Sequence, residues 1–517
     1  MYRIKMKKYK KDYLKLLLAG ISLIIIYFVS KLMLFGTGYG SSIANSILLS
    51  IFIILFSSSK KAFWFIIFPI GIIYSLYIPI GLIFGIPTYH YMASVLATDF
   101  LESKEFIGQI PLTNYLYSLL IILGLISFRF ITSKYNIHLY RNKTILCLMI
   151  FFAMFNQSPF YFLKDVTKST IAVKNEIIAL NKLLKEDEWG SASLNENSTY
   201  DNYILIIGES GRKDYHHSYG YPINNTPFMS SSNGLLVDGL TSGGTNTIAS
   251  LRLMLTLPDK DTWEPDYSLN FIDLANSADI ETHWISNQGY FSEFDTPISA
   301  IAKRSHYKSF LKYGDFASKN TSDFLLLDIL KNTINNHGNK KNLIVLHLYG
   351  SHPNACDRIE DYNKTIEASK PLYSYISCYV SSINKTDDFI RGVYSIMNDN
   401  YLTNKKSFSI LYFSDHGLVH NKIGDTIYLN NSSASKLHFD IPLFLIASDS
   451  YSKRTCSSFK SGLNFTNGIA NWIGISNAKL NPTYSLFDCH DDPDGYGLKD
   501  RINNISTELD PAIDISK

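Results

Sequence analysis

The sequence predicts an N-terminal α-helical polytopic membrane domain of five helices, followed by an α/β domain with a mainly parallel sheet. Three observations predict it. Apolar blocks are massed in the first third, Lys and Arg gather in every second short loop between them, and β-branched runs alternate with amphipathic stretches after Asp201. At 517 residues the chain is too long for one core. With 46% hydrophobic and only 18% charged residues, it is neither disordered throughout nor uniformly soluble. The 48 Lys and Arg nearly balance the 45 Asp and Glu, leaving +3, which excludes a strongly basic nucleic-acid binder.

The apolar blocks run Leu16 to Phe35, Ile43 to Phe56, Phe63 to Phe84, Tyr115 to Phe130 and Thr144 to Phe155, within a membrane domain spanning 1–163. Crossing the hydrocarbon takes about 20 apolar residues. The first and third blocks reach that length, and the others reach it with flanking small or aromatic residues. The basic head MYRIKMKKYKK, Lys60 with Lys61, and Lys134 with Arg141 and Lys143 mark the cytoplasmic side, while the loop Gly36 to Ser42 carries no charge. Five crossings then place the remainder outside. No small-residue cleavage site follows the first block, so that helix is expected to stay as an anchor. Between the third and fourth blocks, in a segment of about 88–112, Met92, Val95, Leu96, Phe100 and Leu101 recur at helical spacing. They predict an amphipathic helix on the membrane surface, with a plain connector as the alternative.

Residues 164–200 read as a charged helical linker along the interface, and 201–517 as the globular domain. Its strands are expected in YILIIG, GLLVDGL, THWIS, NLIVLHLY, FSILYFS and IPLFLIAS. In parallel sheets the active groups gather at the carboxyl edge. Four of the five cysteines lie in this exported part. An even set in an oxidising compartment predicts two disulfides, Cys356–Cys378 and Cys456–Cys489 by preference for local pairing.

Strand ends carry the chemistry. Glu209 follows YILIIG, and Asp415 with His416 follow FSILYFS. Carboxylate oxygen and imidazole nitrogen at fixed strand ends suit Zn²⁺, or less often Mn²⁺. In TSGGTNTIASLRLML, hydroxyls stand near a helix N-terminus, where backbone N–H groups and the helix dipole favour a phosphoryl group. Thr245 and Thr247 are both candidate nucleophiles there; a simple N-cap is the alternative. In VLHLYGSHP, His347 lies inside the apolar run and reads as a core histidine, whereas His352 lies beyond it and is placed to face a substrate phosphate.

The stretches GESGRKDYHHSYGYPINNTPFM, GGTNTIAS, GSHP and SDHG occur in the order found in the lipid phosphoethanolamine transferases, and the chain resembles that family over essentially its whole length. The family belongs to the alkaline phosphatase/sulfatase superfamily. The resemblance implies a sulfatase-like catalytic domain with Glu209, Thr247, Asp415 and His416 as Zn²⁺ ligands and Thr247 as nucleophile. It implies His352 and Asn287 as substrate contacts, and Thr98 and Glu102 as contacts to the lipid headgroup. Members active on lipid A carry an acid after DHG and a histidine in a YLHG segment; here Leu418 and Asn430 occupy those places. His438 or His420 is the nearby replacement. The ASLRLML and GSHPNACDR stretches look more like the branch that modifies core sugars or other glycans.

The resemblance implies transfer of phosphoethanolamine from phosphatidylethanolamine, through a phosphothreonine, to lipopolysaccharide (lipid A or core) or another periplasmic glycan. It implies a monomer in the bacterial inner membrane, N-terminus cytoplasmic and catalytic domain periplasmic, with no nucleic-acid partner. The rivals are a phosphoglycerol transferase of the same superfamily and a non-catalytic membrane scaffold. A sulfatase is disfavoured because the Cys- or Ser-x-Pro-x-Arg sequence is absent at the turn.

Overall fold

The computed structural model describes residues 2–87, 110–137, 142–154, 159–183, 187–290, 296–313, 320–336, 340–431, 434–506 and 508–517, with a few single positions between them. It divides into two compact units. One holds the helical segments up to Val173, and the other holds the chain from Lys174 to Lys517.

The first unit is all helical. Tyr2–Phe35, Ile43–Ser57, Phe68–Phe84, Leu112–Lys134, Lys143–Met154 and Tyr161–Leu183 follow one another, and Lys60–Ile67 runs into the third of them. Among the described residues three helical stretches are long and apolar enough to cross a membrane: Asp12–Phe35, Lys60–Ile83 and Leu112–Lys134. The other two expected spans are shorter. Ile43–Ser57 has 15 residues, about 22 Å of helix, and Lys143–Met154 has 12. Helix contacts in this unit use small polar groups. Ser75 Oγ donates to the Ser118 carbonyl at 2.9 Å and Ser118 Oγ returns a bond to the Ser75 carbonyl at 2.6 Å, tying the third and fourth helices together.

The second unit is built on strands β1 (Ser193–Leu194), β2 (Asn202–Gly208), β3 (Leu235–Thr241), β4 (Glu281–Tyr290), β5 (Tyr307–Tyr313), β6 (Asn342–His347), β7 (Phe408–Ser414), β8 (Val419–Ile423), β9 (Thr426–Asn430), β10 (Leu443–Ala447), β11 (Arg454–Ser461) and β12 (Ile475–Ser476). Eight form the main sheet in the order β11-β3-β10-β7-β2-β6-β4-β5. β10 runs antiparallel to both neighbours, and every other pair is parallel. The sheet is therefore mixed, with one reversed strand in an otherwise parallel array. The segment IPLFLIAS that supplies β10 has the same apolar composition as its neighbours, so its direction was not written in its residues.

Every residue of β2 and β7 is buried, as expected of central strands covered on both faces. Tyr203, Leu205 and Ile207 pack toward the helices Thr247–Met254, Phe271–Ser277 and Phe465–Ile473. Ile204 and Ile206 face the other way, toward Leu325–Asn336 and the long helix Ser374–Asn404. Cys356 is bonded to Cys378 and Cys456 to Cys489, while Cys147 has a free thiol. The first disulfide ties the loop after β6 to the long helix. The second ties β11 to the segment that follows β12.

Parallel registry brings three strand ends level. Gly208 of β2 pairs with Ser414 of β7, Ile207 with His347 of β6, and Ser286 of β4 with His347. Because β10 is reversed, it is the entry to this strand, at Leu443 opposite Phe413, that lies on the same edge.

Candidate metal and nucleophile site

Glu209, the first residue after β2, sits on a tight turn. Ser210 behind it adopts φ +57°, a left-handed conformation costly for a residue with a Cβ. The turn is held by Ser210 N–H donating to Asp415 Oδ1 at 2.9 Å and by Ser210 Oγ donating to Glu209 Oε1 at 2.7 Å. Gly350 presses against the same turn with φ +47°, and a Cβ there would stand 3.0 Å from the Glu209 backbone nitrogen. Only glycine fits this approach.

Asp415 and His416 leave the end of β7. Asp415 Oδ1 accepts the backbone N–H of Ser210 and, at 2.8 Å, that of His416, which leaves Oδ2 with no hydrogen-bond partner among the described residues. His416 Nδ1 lies 2.7 Å from the Gly417 carbonyl, which can only accept, so Nδ1 carries the hydrogen and the neutral ring offers the Nε2 lone pair. His416 Nε2 is 3.5 Å from Glu209 Oε1 and 3.4 Å from Asp415 Oδ2. One ligand atom from each of Glu209, Asp415 and His416 falls within 4.8 Å of the others. All three residues are at most 3% exposed.

Thr247 completes the group. The cap of its helix, Thr247–Met254, is Asn246, whose side chain accepts from Ala249 N–H at 2.9 Å. The capping role is thus filled by the neighbouring residue, and the Thr247 hydroxyl turns instead to Glu209 Oε2 at 3.0 Å, with His416 Nε2 3.5 Å away. Thr245 precedes the cap and lies outside the helix. Ser250, one turn further, donates to the Asp415 carbonyl at 2.6 Å and accepts from Gly243 N–H at 3.2 Å, which bolts the helix start to the end of β7.

The electrostatics favour an added positive charge. Burial alone would raise the Glu209 carboxyl, but His416 hydrogen-bonds to it and holds it well below the ordinary carboxylate range. Burial, reinforced by the Glu209 charge, pushes the Asp415 carboxyl up. Burial lowers the His416 imidazole, yet Asp415 and Glu209 outweigh it and raise the ring to about 9. Two buried acids thus hold a proton on the histidine between them. The donor set, with an orphaned Asp415 oxygen and a fixed His416 tautomer, fits a divalent cation in that proton's place.

The other expected residues divide. His352 stacks on Tyr349 with centroids 4.8 Å apart and planes 13° apart, and burial pushes its ring down to about 4 against the pull of Glu209. His438 is fully buried. Ser435 N–H donates to its Nδ1 at 3.0 Å, so the ring hydrogen sits on Nε2, which has no partner among the described residues. Burial lowers this ring to about 3, and it stays neutral. His420 is committed elsewhere, with Nδ1 3.2 Å from Asp510 Oδ2 and Nε2 2.5 Å from the Tyr215 hydroxyl. His347 is buried edge-on to Trp284, as a core histidine should be. Thr98 and Glu102 lie outside the described residues.

Asn287 does not face this site. Its amide donates to the Thr321 carbonyl and to Asp323 Oδ1, both at 2.8 Å, and Asp323 in turn accepts from the backbone of Tyr349 and Gly350. Gln288, the next residue, is the one that reaches Glu209, donating to Oε2 at 3.2 Å and to the Leu348 carbonyl at 2.8 Å. The register of β4 against β5 shifts between Ser286 and Gly289, so plain alternation breaks down over Asn287 and Gln288, and it is Gln288 that turns to Glu209.

A family model described as Sulfatase matches residues 201–475. A putative phosphoethanolamine transferase of Haemophilus influenzae is 47% identical over 420 residues, 80% of this chain and 86% of that protein. Phosphoethanolamine transferase OpgE of Escherichia coli is 32% identical over 484 residues, 89% of each. The integral membrane protein lipooligosaccharide phosphoethanolamine transferase A of Neisseria meningitidis shares the fold, with a TM-score of 0.59 and 17% identity over 90% of this chain and 96% of that one. The sheet and its site thus define a sulfatase-type domain carried with a helical membrane unit. The chain belongs to the phosphoethanolamine transferase family of the alkaline phosphatase superfamily.

If Glu209 holds a cation, Gln288→Ala is expected to weaken zinc binding about tenfold with little change in the thermal melt, because it removes the amide that supports Glu209 Oε2. Asn287→Ala is expected to do the reverse, lowering stability by about 1–2 kcal/mol because buried Asp323 loses one of its donors; zinc titration and melting of both variants separate the two roles. A divalent cation bound at this donor set would have to displace the proton on His416, so its apparent affinity is expected to rise with pH from neutrality toward about 9 and level off above. A chelator competition series measures this, and a flat profile contradicts the assigned ligands.

Proposed function

We propose that this protein moves phosphoethanolamine from phosphatidylethanolamine to lipopolysaccharide, at lipid A or core, or to another periplasmic glycan, through a phosphothreonine at Thr247. The observation that carries the reading is the Thr247 hydroxyl, 3.0 Å from Glu209 Oε2 at the first turn of a helix and beside three convergent ligand atoms. Glu209, Asp415, His416 and Thr247 are the residues that would hold a Zn²⁺, or less often an Mn²⁺. Such a cation, when bound, supplies Lewis-acid charge that lowers a hydroxyl pKa and offsets the phosphoryl oxygens.

In the first step Thr247 Oγ1 loses its proton along the hydrogen bond to Glu209 and attacks phosphorus. The bond from phosphorus to the glycerol oxygen breaks, and diacylglycerol leaves after taking up a proton. In the second step an acceptor oxygen attacks the same phosphorus, its proton is released, and Thr247 is regenerated as the hydroxyl. The Thr247–Met254 helix presents its N-terminal dipole to the transferring group. His352 and the neutral Nε2–H of His438 are donors or contacts for phosphoryl oxygens, and Thr98 and Glu102 contact the headgroup. The helical unit anchors the enzyme in the inner membrane, N-terminus cytoplasmic and catalytic domain periplasmic, so that the donor reacts without leaving its bilayer.

Thr247→Ala is expected to abolish transfer, a loss of at least about 10³-fold, with folding and membrane insertion unchanged. Mass spectrometry of acceptor pools from a deletion strain and its complement reads the result. A phosphoethanolamine increment restored by wild type but not by the variant supports the reading. A phosphoglycerol increment, or near wild-type transfer by the variant, overturns it.

A further inference from the structure

Arg212 belongs to the GESGR turn, yet its guanidinium is spent inside the protein. Nε and Nη2 donate to the two oxygens of Asp214 at 3.0 and 2.7 Å. Nη1 donates to the Leu418 carbonyl and to Asp510 Oδ2, both at 3.2 Å, and Nη2 donates to the Asp510 carbonyl at 2.7 Å. All five N–H donors are used, and the side chain is fully buried. A substrate phosphate therefore finds no donor on this arginine. What the arginine binds instead is Asp510, almost 300 residues away in the C-terminal segment.

Asp510 has three further contacts. Its Oδ2 accepts His420 N–H at 2.9 Å and stands 3.2 Å from His420 Nδ1, while its Oδ1 accepts the Ser435 hydroxyl at 2.8 Å. Ser435 Oγ caps the turn Lys436–His438 by accepting Leu437 N–H at 3.2 Å, and Ser435 N–H fixes the His438 tautomer. The His438 carbonyl then accepts Gly417 N–H at 2.7 Å, directly after His416. The segment delivering Asp510 is itself pinned: Ala512 N–H donates to Asp214 Oδ2 at 2.8 Å, Ile513 N–H to the Tyr215 hydroxyl at 3.1 Å, and Ile515 is fully buried.

We propose that Asp510 is a positioning residue for the transfer site: its carboxylate clamps the turn after Glu209 to the loops that carry His416 and His438. One carboxylate joins three chain segments that sequence order keeps apart. The clamp sets the ring orientation of His438 and the path of the chain after His416 without touching substrate. This inference rests on the proposed transfer reaction for its kinetic consequence, but its structural consequence stands separately.

The test uses the full-length protein in detergent micelles containing phosphatidylethanolamine, with enzyme in excess and diacylglycerol release followed by chromatography. Asp510→Asn cannot accept at both ends and also keep the charge that Arg212 faces. Its maximal single-turnover rate should fall about 10- to 100-fold, the usual range for a ligand's supporting partner, while the phosphatidylethanolamine concentration for half-maximal rate stays within about threefold. Ser435→Ala, which cuts only the arm to His438, should lower the rate in the same sense. Hydrogen–deuterium exchange should accelerate at both 418–420 and 435–438 in Asp510→Asn, but should leave 418–420 unchanged in Ser435→Ala. A wild-type rate in Asp510→Asn, or a loss that disappears once the rate is scaled to the folded fraction from a thermal melt, overturns the proposal. If wild type itself releases no diacylglycerol, the transfer reading fails. The exchange data then decide the clamp alone, and unchanged exchange in both segments sinks it.

Discussion

Two buried carboxylates and an imidazole, with ligand atoms within 4.8 Å of each other, are the constraint on which the catalytic unit is organised. Like charges so close in a dry site repel by several kcal/mol unless a positive charge lies between them, and burial magnifies that demand. The surrounding structure keeps them together nonetheless. A left-handed Ser210, a glycine pressed on the Glu209 backbone, and two backbone N–H groups on one Asp415 oxygen all hold the acids where they would not stay unaided. Such over-determined geometry is costly to build and makes sense as a site prepared for a cation.

The sequence made this centre readable because strand ends carry it. Glu209, Asp415 and His416 each follow an apolar run closed by a Gly or Ser, and Thr247 follows a glycine-rich turn. Parallel registry does the rest. What stayed illegible depends on single-residue register or on distant chain. Asn287 and Gln288 look alike in composition, and only the local register shift in β4 decides which one meets Glu209. Asn246 and the threonines beside it are all competent caps, so the hydroxyl left over for chemistry emerges only when the cap is filled. Asp510 belongs to a terminal stretch with no strand, helix or motif around it, and no periodicity could have tied it to Arg212. The helical unit shows the same limit. Long apolar blocks declare themselves, while the two short ones become helices of 15 and 12 residues.

The two histidines near Leu418 and Asn430, His420 and His438, differ in hydrogen bonding more than in position along the chain. His420 is closer to the DHG motif, but both its ring nitrogens are engaged by Asp510 and Tyr215. His438 is farther along and keeps one N–H in reserve. Proximity in sequence favours His420, whereas partner accounting leaves an uncommitted ring N–H only on His438.

The reversed course of β10 has a consequence for how such enzymes diversify. Seven strands bring their exits to the working edge, so altering any of those loops risks moving a residue fixed by the ladder beneath it. β10 alone contributes its approach, the stretch leading up to Leu443. That stretch is fixed at a few points only, by Ser435 on Asp510, by the His438 carbonyl on Gly417 N–H, and by a short antiparallel bridge between Asp440 and Thr241, and recognition groups can vary between those points while the ladder is left undisturbed. Selectivity toward one acceptor over another has a natural place to evolve in this loop.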